Sequence, residues 1–296
     1  MNEITVLMLL IVAGLLVRVF FNSVLKRASL FERGLKLAVN TVYYLLIPLA
    51  FIKIYIDRGV AASDAWISLS ILLLVFTVAF TLKLITAGRP REYYRALFLV
   101  SAFPNSVFLG FPVSMALFGV VDVAATYGVV TLVLNVVVPD AMSMGRVSLR
   151  RVLLMPALLG FTLGLISHYT LPAWLSQRVS SLLWWAPRLL SYVATAVLGA
   201  RLPLRLSVLH EEWGFIAVAS LYRFLIAPLL SLIVVSATRV DWFYGVQLIV
   251  VSAMPPAVMN TLIAERYGWL PELVASTTFI LTIIVVLCFP LITTIL

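Results

Sequence analysis

Two short stretches set amide and hydroxyl side chains beside prolines inside strongly apolar runs: Pro104-Asn105-Ser106 in SAFPNSVFLGFP, and Pro255-Pro256 followed by Asn260-Thr261 in SAMPPAVMNTLIAERYG. Proline lacks a backbone N–H and its ring clashes with the preceding turn, so a helix kinks or breaks there. A helix that restarts after such a break presents unpaired N–H groups and about half a positive charge. An anion, above all a carboxylate, can be held at such a start without any Lys or Arg. Asn105, Ser106, Asn260 and Thr261 can donate to a carboxylate and can also accept from a substrate hydroxyl or ring N–H. Opposing helix ends could equally hold a cation through unwound carbonyls, although the lack of acidic residues at the breaks favours an anion.

Other polar residues in apolar surroundings extend this candidate set. Asn40 and Asn135 either line the same cavity or glue helices together by hydrogen bonds. Asp140, Glu265 and Arg223 are candidates for coupling transport to a proton or an ion, since ionisable groups at membrane depth are costly and often functional. Arg18 and Arg188 lie near segment ends, where long side chains snorkel to the interface. His168 and His210 fall in expected loops and receive no role.

The elements that must position these residues are membrane spans. Of the 296 residues 63% are hydrophobic and 11% charged, and the mean hydropathy is +1.13. A bilayer core about 30 Å thick calls for apolar stretches of roughly 20 residues. Such stretches fall near 4–21, 34–56, 65–86, 93–118 and 121–140, then near 152–170, 176–199, 213–237, 242–266 and 270–295. Pro104 and Pro255 each interrupt the fourth stretch of its series and stand 151 residues apart, about half the chain. The expected fold is therefore all-α with ten transmembrane helices, helices 4 and 9 broken, arranged as two five-helix repeats over 1–145 and 146–296. An odd number of spans per repeat inverts the second copy relative to the first.

Loops after odd-numbered spans hold fourteen basic residues and those after even-numbered spans four. Basic residues favour the cytoplasmic side, so both termini are expected outside the cell membrane. The net charge of +9 is then a matter of topology, and no nucleic-acid partner is needed. Trp174, Trp184, Trp185, Trp213, Trp242 and Trp269 lie near segment ends, as interfacial aromatic belts do. The single cysteine, Cys288, sits in the last apolar stretch and is expected to be buried and inert. The first segment lacks a basic flank and a small-residue cleavage site, so it reads as a retained helix. An intramembrane enzyme would need a nucleophile and base, a metal cluster or paired carboxylates at depth. The residues supply none of these sets.

SAFPNSVFLGFPVSMALFG resembles the helix 4 motif of the auxin efflux carrier family, which comprises the plant PIN-type exporters and their bacterial and archaeal relatives. NTVYYLLIPLAF, MPALLGFTLGL, RFLIAPLL, SAMPPAVMNTLIAERYG and the closing FPLI are similar to its second, sixth, eighth, ninth and tenth helices. The resemblance implies inverted repeats with helices 4 and 9 crossing at their breaks, as in bile-acid symporters and sodium/proton antiporters. It implies a scaffold of helices 1, 2, 6 and 7 and a transport domain of helices 3–5 and 8–10 that slides as an elevator. Asn105 matches the family asparagine that contacts substrate, and Asn260 matches that of microbial members. Plant members carry proline near that second position and a long loop between helices 5 and 6, where this chain has only GRVSLRR. Pairing of two copies is a further implication. The expected activity is secondary transport of a small carboxylate with no cofactor, with sodium or proton coupling, or an antiporter of the same fold, as the alternative.

Overall fold

The computed structural model describes residues 3–201, 212–238 and 240–295, and every regular element among them is helical. The helices are α1 (Glu3–Val19), α2 (Ala28–Thr41), α3 (Ile47–Arg58), α4 (Ala62–Ile85), α5 (Arg91–Ala102), α6 (Phe111–Phe118), α7 (Asp122–Met144) and α8 (Leu149–Leu153). They continue as α9 (Pro156–Thr170), α10 (Ala173–Leu182), α11 (Ala186–Arg201), α12 (Trp213–Leu221), α13 (Ala227–Thr238), α14 (Trp242–Ser252), α15 (Met259–Tyr267) and α16 (Pro271–Ile295). His210, and Arg205 and Arg239 of the charge count, lie outside the described residues.

Seven segments among the described residues are long and apolar enough to cross a membrane, from Thr5–Val24 to Pro271–Cys288. Their surfaces are inverted relative to a soluble protein. Phe76 and Phe80, one turn apart, are 79% and 65% exposed, whereas Asn135, Gln247, Asn260 and Thr282 are buried. Apolar side chains need no burial against lipid, and polar ones do. The protein is an all-α, multi-pass membrane protein. Three other stretches expected to span do not qualify as single helices: 93–118 and 242–266 are interrupted, and 152–170 holds only the 15-residue α9. The half-helices are at most about 20 Å long at 1.5 Å per residue, short of a 30 Å core.

Prolines bend the continuous spans in a repeated way. The π-helical turns Val42–Leu46, Ser106–Gly110 and Tyr222–Ile226 each precede a proline by two residues, namely Pro48, Pro112 and Pro228. Widening the preceding turn makes room for the ring and for the carbonyl that has lost its donor, so the helix bends without ending.

The chain forms two compact units. Unit 1 draws on 1–61, 107–125 and 149–202, and unit 2 on 62–106, 126–148 and 203–296. Unit 1 is held by close backbone approach. Gly14 of α1 faces Ala196 and Ala200 of α11, and Gly199 faces Ile11, with no room for a side chain at either glycine. Gly160 and Gly164 of α9, a small-xxx-small pair, lie against Pro48 and against Ile52 and Tyr55 of α3. Between membrane helices, where lipid is as apolar as leucine, such van der Waals contact is a main attractive force. His168, expected in a loop, caps this packing from the last turn of α9, its Nδ1 2.8 Å from Ile56 O. Unit 2 relies more on polar contacts. Thr126 donates to Asp64 at 2.7 Å, Ser70 and Ser231 hydroxyls meet at 3.4 Å, and Thr81 bonds the Tyr222 hydroxyl.

Two expectations about single residues are corrected. Cys288 is exposed on α16 beside Leu287, itself 67% exposed, because an outward face of a membrane helix keeps its apolar side chains in lipid. Trp269 is 1% exposed, whereas Trp174, Trp184, Trp213 and Trp242 are exposed; Trp269 stacks on Tyr267 at 5.1 Å with Arg95 over its ring. A side chain added at Gly160 would stand 2.5 Å from Pro48 O. Gly160→Val should therefore lower the melting temperature of the detergent-solubilised protein, by a cost of about 1–3 kcal/mol. Gly34→Val, where an added Cβ meets nothing within 4 Å, should melt much closer to wild type.

Candidate functional site

Both proline breaks lie in unit 2 and satisfy each other through the backbone. α5 ends at Ala102, residues 103–105 are extended, and the helix resumes at Ser106; α14 ends at Ser252 and α15 starts at Met259. Pro104 and Pro256 form an antiparallel bridge. Asn105 N–H donates to Pro255 O at 2.7 Å, and Ala257 N–H donates to Phe103 O at 2.9 Å. With no water in a bilayer core, each unpaired N–H or C=O costs several kcal/mol, so two interrupted helices are tolerated here because each supplies the other's partners.

Side chains complete the pairing. The Asn260 amide donates to Leu99 O at 2.9 Å and to Phe103 O at 3.0 Å, and its oxygen accepts from Asn135 Nδ2 at 3.2 Å. Each of these carbonyls also takes a main-chain donor, Leu99 O from Phe103 N–H at 3.2 Å and Phe103 O from Ala257 N–H, so the Asn260 amide fills their second acceptor positions. Asn135 thereby joins α7 to the second break, and its Oδ1 has no hydrogen-bond partner among the described residues. Arg223, fully buried, donates Nε to Met254 O at 3.0 Å, Nη1 to Ser101 O at 3.1 Å and Nη2 to Ser252 O. Tyr127, also fully buried, stands beside the guanidinium.

The remaining candidates divide by position. Asn105 and Ser106 are buried at the first break, and Ser106 N–H bonds Pro104 O at 2.9 Å. Thr261 is half-buried in the first turn of α15, its N–H on Val258 O at 3.2 Å. Asp140 is buried near the end of α7 and accepts from the Tyr267 hydroxyl, and Arg95 of α5 donates to Met142 O at 2.6 Å. Glu265 is exposed on α15. Asn40 belongs to unit 1 and is exposed on α2.

Sequence reasoning passed over three polar residues, two buried and one, Tyr267, half-buried. Gln247 of α14 is 0% exposed and neither amide atom has a hydrogen-bond partner among the described residues; Tyr127 flanks Arg223; Tyr267 holds Asp140. A glutamine in the apolar run GVQLIVV was a readable signal for the first. The tyrosines carried none, since Tyr is common at membrane interfaces.

No protein-family model matches the chain. An uncharacterized transporter of Methanocaldococcus jannaschii is 24% identical to it over an alignment covering 95% of this chain and 94% of that protein.

Removing the Asn260 side chain leaves the Asn135 amide without its acceptor in an apolar interior and takes one of two donors from each of Leu99 O and Phe103 O. Asn260→Ala should destabilise by about 1–3 kcal/mol, and Asn135→Ala by less. In the double mutant the costs should be non-additive by at least about 0.5 kcal/mol, read from melting temperatures or denaturant unfolding in detergent.

Proposed function

We propose that this membrane protein is a secondary transporter of small organic anions, carboxylates above all, working in the manner of auxin efflux carriers. The observation that carries the reading is the unequal treatment of the two kinds of helix end at the breaks. The carbonyl ends of α5 and α14 are engaged by Arg223 and by Asn260. The helix starts at Ser106 and Met259 carry the positive ends of their dipoles, and no acidic side chain lies in either break to neutralise them. Each start contributes about half a positive charge in a low-dielectric setting, so a carboxylate is the complementary cargo. Asn105 and Ser106 at one start, and Asn260 and Thr261 at the other, would orient it, with Asn135 Oδ1 as an acceptor for a hydroxyl or ring N–H.

Architecture and likeness support the same reading. Counting each interrupted pair as one span and α9 as another adds three to the seven long spans and gives ten, five on either side of residue 145. That count and the 151-residue offset support an inverted repeat with crossing broken helices. The relative from Methanocaldococcus jannaschii is named a transporter along nearly its whole length. In the proposed cycle spans 3–5 and 8–10 form the moving transport domain and spans 1, 2, 6 and 7 the scaffold; unit 2 holds both breaks and most of the former, while residues 107–125 of spans 4 and 5 fall in unit 1. A cell membrane with a negative interior supplies about 2.3 kcal/mol per charge per 100 mV for anion export. If transport is ion- or proton-coupled, Asp140 and Glu265 are the candidate carboxylates; Asp140 is the buried one and accepts from the Tyr267 hydroxyl.

Asn105→Ala keeps the backbone bond to Pro255 and removes only the side-chain amide. In proteoliposomes it should abolish most of the saturable carboxylate flux found for wild type while shifting the melting temperature little. Wild-type flux in that variant would remove Asn105 as a ligand.

A further inference from the structure

A fully buried arginine normally faces a carboxylate. Arg223 faces neutral groups: its three nitrogens reach Met254 O, Ser101 O and Ser252 O, the Tyr127 phenol stands beside it, and no carboxylate pairs with it among the described residues. Ser101 lies in the last turn of α5, Ser252 ends α14, and Met254 lies in the second break. These are groups that a regular helix would have paired with N–H donors four residues on. Two donors are displaced by the breaks: Asn105 N–H has turned to Pro255 O, and residue 256 is a proline.

Charge arithmetic matches the geometry. Two converging helix C-termini present about half a negative charge each, which together equal one guanidinium. Broken-helix carriers commonly fill such a place with a bound inorganic cation coordinated by unwound carbonyls and half-helix C-terminal ends. We infer that Arg223 is a built-in cation that occupies the carbonyl side of both breaks, so that the carrier needs no sodium or other inorganic cation bound there to load its cargo. This rests on the anion-carrier reading above for its role in transport, but the local assignment does not. The planar fork suits the task, since one side chain ties the C-terminal ends of two helices at fixed angles, which a hydrated point charge cannot do as rigidly.

The test is a thermal-melt series of the purified full chain in sodium, potassium and choline chloride at equal ionic strength, for wild type, Arg223→Lys and Arg223→Gln, with no cargo added. Wild type and Arg223→Lys should melt at a temperature independent of the cation. Arg223→Gln should melt several degrees lower in choline and recover selectively in sodium, because its uncovered carbonyls then take an inorganic ion. A wild type that is itself stabilised selectively and saturably by sodium overturns the inference, as does a folded Arg223→Gln that is indifferent to the cation. If Arg223→Gln does not fold, cation indifference of wild type and Arg223→Lys supports the assignment and sodium selectivity in either overturns it. The outcome is separable from the cargo question: a failed carboxylate screen leaves it standing, and a sodium-stabilised wild type leaves the anion reading standing.

Discussion

Two main-chain hydrogen bonds, Asn105 N–H to Pro255 O and Ala257 N–H to Phe103 O, let the rest of unit 2 exist as it does. A helix cut at membrane depth leaves polar groups that neither lipid nor water can satisfy, and a single cut would be prohibitive. Two cuts brought together solve the problem for each other, in the manner of a very short antiparallel ladder. The geometry then constrains the neighbours. Asn260 adds a side-chain donor to Phe103 O of the ladder and to Leu99 O one turn before it, Asn135 holds Asn260, and Arg223 covers the helix ends behind.

Carbonyl ends at the breaks are covered by donors fixed in the fold, whereas no acidic side chain lies in either break among the described residues, and the proposed anion reading rests on that asymmetry. The two units also cohere by different physics. Unit 1 packs glycine against backbone, which is strong in lipid and carries no charge. Unit 2 is held by serine, threonine, asparagine and arginine contacts, such as Ser70–Ser231, Thr126–Asp64, Asn135–Asn260 and Arg223–Ser101, beside the interrupted helices.

The positions of the breaks could be read directly, because proline acts locally: Pro104 and Pro255 lie where the helices stop. The importance of Asn260 and the depth of Arg223 were also legible, since an amide or a cation in an apolar run has few tolerable environments. What each one touches was not. Asn260 bonds carbonyls 157 and 161 residues away, and Arg223 one 122 residues away, and no local pattern encodes partners at such separation. The facing of apolar residues was equally hidden. α16 is apolar all round, so lipid and protein faces carry no contrasting periodicity, and Cys288 could not be assigned a side. Trp269 follows the same logic, because a tryptophan at a helix end suits an interface or a stacked pocket alike. Asp140 and Glu265 looked equivalent as helix-end carboxylates; the fold buries one beside Tyr267 and exposes the other.

The pairing of the breaks is most directly tested by residue-resolved amide hydrogen exchange on the protein in nanodiscs. The account predicts that the N–H groups of Asn105 and Ala257, although outside any helix, exchange as slowly as amides in the middle of α7. Exchange at the rate of exposed loop amides would mean that the two interruptions do not bond to one another, and would contradict the account at its root.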